Sequence, residues 1–109
     1  MRYNVELTNN FKKEAKRLVK KYKSLKSELA NLVAELETNP NKGVPLGNNI
    51  YKIRLAIKSK GKGKSGGARI MSYIKISQTK VLLFSIYNKS EKETISDKEI
   101  KEIIKKLHD

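Results

Sequence analysis

Ile50-Tyr-Lys-Ile-Arg-Leu-Ala-Ile-Lys58, Gly66-Gly-Ala-Arg-Ile-Met-Ser-Tyr-Ile-Lys-Ile76 and Lys80-Val-Leu-Leu-Phe-Ser-Ile-Tyr87 are three runs in which apolar residues recur every second position. That period is the mark of strands with one buried face. In the first run Tyr51, Ile53, Leu55 and Ile57 point one way, and Lys52, Arg54, Ala56 and Lys58 the other. In the second, Ile70, Ser72, Ile74 and Ile76 face inward and Arg69, Met71, Tyr73 and Lys75 outward. In the third, Leu82, Phe84 and Ile86 take the inner face, leaving Val81, Leu83, Ser85 and Tyr87 on the other with Lys89.

The charge pattern singles out the same window. No Asp or Glu occurs between Glu37 and Glu91, whereas Lys42, Lys52, Arg54, Lys58, Lys60, Lys62, Lys64, Arg69, Lys75, Lys80 and Lys89 all do. These supply 11 of the 14 net positive charges of the chain. Solvated faces ordinarily mix signs. A sheet with cations and no anions therefore points to a polyanionic partner, with nucleic acid first.

Outward from the sheet, Arg2 to Leu7 alternates as a short strand. Thr8 or Asn9 can cap the helix that follows, because a side-chain oxygen accepts from its open amides. Phe11, Ala15, Leu18, Val19 and Tyr22 form its apolar stripe, and Lys12, Lys13, Lys16, Arg17, Lys20 and Lys21 its polar face. Leu25, Leu29, Leu32, Val33 and Leu36 form a second stripe, joined to the first by a short break near Ser24, as in an antiparallel helical hairpin. Pro40 and Gly43 end it. Val44-Pro45-Leu46-Gly47 reads as a loop whose apolar pair tucks under the sheet. Residues 58–67 read as a flexible Lys/Gly connection between strands. At the C-terminus Ser96 and Glu99 make a capping box for a helix with Ile100, Ile103, Ile104 and Leu107 on one stripe. The order is strand, helix, helix, three strands, helix. It predicts a single α+β domain over residues 1–109, with the helices on one face of a mainly antiparallel sheet.

Several chemistries lack their residues. There is no cysteine, so disulfides and thiolate metal sites are absent. The one histidine, His108, is penultimate, where a helix end frays. The three basic strands carry no carboxylate to hold a metal ion or to form an acid–base pair. No signal peptide and no membrane-length apolar run is present, which predicts a cytoplasmic protein with no membrane partner. Arg, Lys and Tyr can still promote cleavage of RNA, where a 2′-hydroxyl attacks its own phosphate. Arginine's planar fork stabilises the phosphorane, clustered cations favour the neutral, basic form of a lysine, and tyrosine can share a proton or stack on a base.

Ser65-Gly66-Gly67-Ala68-Arg69-Ile70 opening one strand, Ile86-Tyr87-Asn88-Lys89-Ser90-Glu91 closing the next, and Ile95-Ser96-Asp97-Lys98-Glu99-Ile100 opening the last helix resemble the RelE/HigB toxins. The resemblance covers nearly the whole chain. It implies a bacterial type II toxin that cleaves messenger RNA on the ribosome, is silenced by a cognate antitoxin, and needs no metal or cofactor. Position by position, it implies that Arg69 contacts the scissile phosphate and that Lys52 and Arg54 are basic catalytic residues. Lys89 stands in the basic motif after the last strand, and Tyr87 or Tyr73 takes the tyrosine's part by geometry. Lys58, Lys60, Lys62 and Lys64 in the loop, with Lys12, Lys16 and Lys20 on the first helix, are expected to contact ribosomal or messenger RNA phosphates. Two other functions fit the same residues: a ParE-like gyrase poison without nuclease activity, and a non-catalytic basic RNA-binding module.

Overall fold

The computed structural model describes residues 2–61, 66–90 and 96–108; at positions 97, 104, 107 and 108 the description covers the backbone alone. The elements run β1 (Asn4–Leu7), α1 (Asn9–Lys21), α2 (Leu25–Thr38), β2 (Val44–Gly47), β3 (Ile50–Leu55), β4 (Ala68–Lys75), β5 (Lys80–Asn88) and α3 (Asp97–His108). Single 3₁₀ turns at Lys58–Lys60 and Ile76–Gln78 follow β3 and β4. The α+β class read from the alternation is the class observed.

The sheet has five strands in the order β1-β5-β4-β3-β2. β2 to β5 are antiparallel neighbours, whereas β1 lies parallel to β5 at one edge. The extra strand is β2, the stretch expected to be a tucked loop. It pairs with β3 through a two-residue turn at Asn48 and Asn49, both left-handed, with φ of 54° and 63°. Asparagine tolerates that conformation, and a turn of this hand matches strand twist. Pro45 is acceptable because the strand is at an edge. Val44 and Leu46 are exposed, not tucked.

Of the two expected caps it is Thr8 that caps α1, its Oγ1 accepting from the Phe11 amide at 3.1 Å, and Asn9 is the first residue of the helix. Phe11, Ala15 and Leu18 of α1 and Leu25, Leu32 and Leu36 of α2 then bury against Ile53, Ile70, Ile74, Val81, Leu83 and Ile86. Burying one such side chain is worth about 1.5–3 kcal/mol, so this layer holds the helical hairpin on the sheet.

Contrary to the one-face expectation, α3 is on the other side. Its Ile100 joins Ile50, Met71, Tyr73, Leu82, Phe84 and Tyr87 in a second apolar cluster. The sheet is thus covered on both faces, and the outward residues of β4 are not wet: Met71 is fully buried and Tyr73 nearly so. Ile76, expected inside, falls in the 3₁₀ turn and is exposed.

One irregularity sets which β5 residues reach which face. Met71 pairs with Ser85, but Ser72 pairs with Leu83, so Phe84 is an extra residue in β5. A bulge of this kind puts an additional residue into one strand and reverses the pleat on one side of it. C-terminal to it, Ile86 and Tyr87 lie on the expected faces. N-terminal to it the expectation is inverted: Val81 and Leu83 pack under α1 and α2, and Leu82 and Phe84 under α3.

Candidate functional site

On the face shared with α3, the strand registers line up three rows. Ile50, Tyr73 and Leu82 form the first, and Lys52, Met71 and Ser85 the second. Arg54, Arg69 and Tyr87 form the third, at the end of the sheet where β3 stops and β4 starts. Partners directly across an antiparallel ladder are about 4.5–5.5 Å apart, so two arginines and a tyrosine leave the same face from neighbouring positions.

Gly67 makes room for this end of the sheet. A Cβ there would stand 2.0 Å from the Leu55 carbonyl oxygen, so no larger residue fits without moving β3 from β4. The Lys89 amide donates to the Gly67 carbonyl at 3.0 Å and extends the β4–β5 pairing one step beyond the strand ends. Lys89, half-buried, is thereby held two residues from Tyr87 and beside the start of β4.

Within the row Arg69 is buried and Arg54 exposed. Arg69 Nη1 donates to the Ala68 carbonyl oxygen at 3.2 Å. Burial pulls the Arg69 pKa below the ordinary guanidinium value, repulsion from Arg54 adds to the effect, and Tyr87 opposes it. Arginine tolerates this because it keeps its charge where a lysine would readily lose it. Strand alternation alone makes Arg69 an outward, wet side chain; the structure corrects this, because Arg69 is buried.

The other expected site residues distribute unevenly. Lys52 is one row from Arg54, about 6–7 Å along the strand, and half-buried. Tyr73 is two rows from Arg69, about 13 Å along β4, and packs in the apolar cluster; Tyr87 is the tyrosine brought beside the arginines. Lys58 is exposed and lines an open cleft between α2 and β3 together with Arg54, Glu28 and Glu35. Lys12, Lys16 and Lys20 are exposed along α1, which lies on the opposite face of the sheet from the Arg54–Arg69–Tyr87 row. Lys62 and Lys64 lie outside the described residues. Among the described residues no cluster of three or more His, Cys, Asp or Glu could hold a metal ion, and no helix is long and apolar enough to cross a membrane.

Lys60 differs from the expectation for its loop. It is half-buried, and its Nζ donates to Asn88 Oδ1 at 2.6 Å and to Ser90 Oγ at 3.0 Å. Asn88, fully buried at the end of β5, also accepts from the Ser90 amide and hydroxyl and donates to the Tyr22 hydroxyl at 2.8 Å. A second set of bonds holds the 3₁₀ turn from the other side. Ser24 and Ser59 hydrogen-bond at 2.9 Å, and Glu28 accepts from the Ser24 hydroxyl and the Lys58 amide. Sequence reasoning met Asn88 and Ser90 only inside the motif that closes the last strand and gave neither a role. Their only signal is a polar residue at the end of an apolar strand.

Glu14 is a further addition. β1 stops opposite Leu83, leaving the rest of β5 without a strand neighbour on that side. Glu14 Oε1 accepts from the Ile86 amide at 3.3 Å, and Asn10 Nδ2 donates to the Phe84 carbonyl at 3.1 Å. Side chains of α1 thus satisfy the backbone groups that the bulge and the end of β1 leave open.

Residues 7–108 match the family model described as the RelE toxin of the RelE/RelB toxin–antitoxin system. Among solved structures, the chain is similar to a double-arginine mutant of the E. coli toxin RelE in its free state, at a TM-score of 0.59 and 15% identity, covering 98% of this chain and 99% of that one. It is also similar to a chain of the intact E. coli RelBE toxin–antitoxin complex, at a TM-score of 0.50 and 20% identity, over 79% of this chain and 95% of that one. The same RelE mutant bound to a peptide of the antitoxin RelB matches at a TM-score of 0.50 and 19% identity, over 94% of each chain. At such identities the structural likeness concerns the fold.

Proposed function

The chain belongs to the RelE toxin family, and on that premise we propose that it is a type II toxin that cleaves messenger RNA on the ribosome. The observation that carries this reading is the Arg54–Arg69–Tyr87 row, with Lys52 one row away, on strands that contribute no carboxylate.

In the proposed reaction a ribose 2′-oxygen bonds to the adjacent phosphorus while the bond from phosphorus to the 5′-oxygen breaks. A 2′,3′-cyclic phosphate and a 5′-hydroxyl result. The 2′-hydroxyl proton passes to a base and a proton is returned to the leaving oxygen. Arg69, fixed by burial, and Arg54, free to reach RNA, are assigned to the extra negative charge of the phosphorane, the role in which preorganised donors act most strongly. Lys52, Lys89 and Tyr87 are the candidates for proton transfer, and Tyr87 also offers a face on which a base can stack. The reaction as assigned uses side chains alone, with no cofactor.

The exposed Lys12, Lys16, Lys20 and Lys58 are assigned to the ribosomal and messenger RNA backbone, where their effect is electrostatic and salt-dependent. By analogy with the RelE–RelB complexes, the protein partner is a cognate antitoxin, encoded beside it and acidic or apolar where it meets the toxin. Toxin and antitoxin act in the cytoplasm, where translation takes place.

Primer extension on messenger RNA after brief induction tests the reading. Breaks within translated codons are expected. Intact RNA with double-stranded DNA breaks would place the chain with gyrase poisons, and neither lesion would reduce it to a basic binding module.

A further inference from the structure

We infer that Lys60 is a positioning residue that braces the Asn88–Ser90 turn, and with it Lys89, instead of contacting RNA phosphate. The inference rests on the cleavage reading above for its catalytic consequence, but not for the brace itself.

Three observations support it. The Lys60 ammonium already has two acceptors, Asn88 Oδ1 at 2.6 Å and Ser90 Oγ at 3.0 Å. A charge-assisted bond of that length to a fully buried amide is among the stronger hydrogen bonds a protein makes. Its Nζ also stands 5.7 Å from the centre of the Tyr22 ring, whose hydroxyl accepts from the same Asn88. Swinging out to a phosphate would break all of these and take the charged donor away from a buried oxygen.

The neighbouring backbone is tied as well. Lys60's own amide donates to the Ile57 carbonyl, and Ser59 is bonded to Ser24 at the α1–α2 joint. Lys60 therefore projects from an anchored turn, not from a floating loop. What it holds is the segment immediately after β5. Ser90 is fixed to Asn88, and Lys89 between them is fixed to Gly67 next to the start of β4, two residues from Arg69. A lysine that sets the position of this turn acts on the chemistry at one remove. Small misplacements of a reacting group are enough to slow a reaction on the order of a hundredfold.

The experiment compares Lys60→Met, Lys60→Arg, Ser90→Ala and Lys60→Met/Ser90→Ala in the full chain, with three readouts. The first is single-turnover messenger RNA cleavage on ribosomes at saturating toxin. The second is the salt dependence of ribosome association. The third is hydrogen exchange of the Ser90 amide. Lys60→Met is expected to slow saturated cleavage about tenfold or more, leave the log–log salt slope in place, and speed exchange at Ser90. Lys60→Arg should recover part of the rate, and the double variant should be no slower than Lys60→Met. The inference is overturned if Lys60→Met keeps the saturated rate but flattens the salt slope by about 0.7–0.9, or if the losses multiply in the double variant. If the wild-type chain leaves RNA intact, it is the cleavage reading that fails. Ser90 exchange then decides the brace alone: unchanged exchange in Lys60→Met removes it, and faster exchange upholds it.

Discussion

Arg69 lies directly across the β3–β4 ladder from Arg54, and of the two it is Arg69 that is buried, with 4% of its surface exposed. Like charges opposed on a sheet are destabilising. The arrangement therefore holds one cation rigidly beside another that is free to move, which is costly in a structural role and useful for gripping a phosphate that gains charge as it reacts.

Replacement of Arg69 by alanine should abolish growth arrest. Losing one preorganised donor costs about 3 kcal/mol of transition-state stabilisation, on the order of a hundredfold in rate. Because the lost packing is offset by relief of the repulsion from Arg54, the melting temperature should move by no more than about 4–8 °C. Growth assays, single-turnover rates and calorimetry on one variant check all three. Arrest as strong as that of wild type would remove Arg69 from the site.

Gly67→Ala tests the close approach of β4 to β3. The added methyl would meet the Leu55 carbonyl oxygen, so the strands must part at the end that carries the arginines. A loss of about 1–3 kcal/mol is expected in urea unfolding, the usual cost of overpacking. Gly61→Ala has open space around it and only a left-handed backbone to strain, φ 75°, and should cost about 1 kcal/mol. Equal costs at the two positions would mean that β3 and β4 part more easily than their register implies.

Steering and chemistry should separate by mutation. Neutralising Lys12, Lys16 and Lys20 together should weaken ribosome association and flatten its salt dependence by about 0.7–0.9 in log–log slope for each phosphate no longer neutralised. Lys52→Ala, Arg54→Ala and Lys89→Ala should retain association and slow the chemical step, since their effect is confined to the transition state. If both groups lose binding and rate in the same proportion, the two faces of the sheet form one continuous RNA-binding surface.

Leu46→Lys probes the edge strand. Leu46 is 45% exposed in β2, at the open edge of the sheet. Its replacement should change stability by no more than about 0.5 kcal/mol and should reduce self-association at high concentration, because a charged edge resists strand pairing. Unfolding of this variant in a thermal melt would show that the segment is packed inside after all.

Much of the architecture was legible in residues alone. The alternation of Ile50–Lys58 and of Gly66–Lys75 marked β3 and β4 and put Lys52, Arg54 and Arg69 on one side. The stripes from Phe11 to Tyr22 and from Leu25 to Leu36 marked the helical hairpin, and Thr8 its cap. Each of these depends on neighbours within a few residues, where the periods of strand and helix act directly. Other features were settled only by distant parts of the chain. The bulge at Phe84 reverses the faces of Val81 to Phe84, and a period-two reading assumes an unbroken pleat. Strands covered on both faces look alike to an alternation rule, so the side taken by α3, and with it the burial of Met71 and Tyr73, depended on which layer each face met. Lys60 is indistinguishable from the lysines around it until Asn88 and Ser90, 28 and 30 residues away, close on its amino group. Composition registers a lysine's charge, but its partner is a matter of tertiary contact.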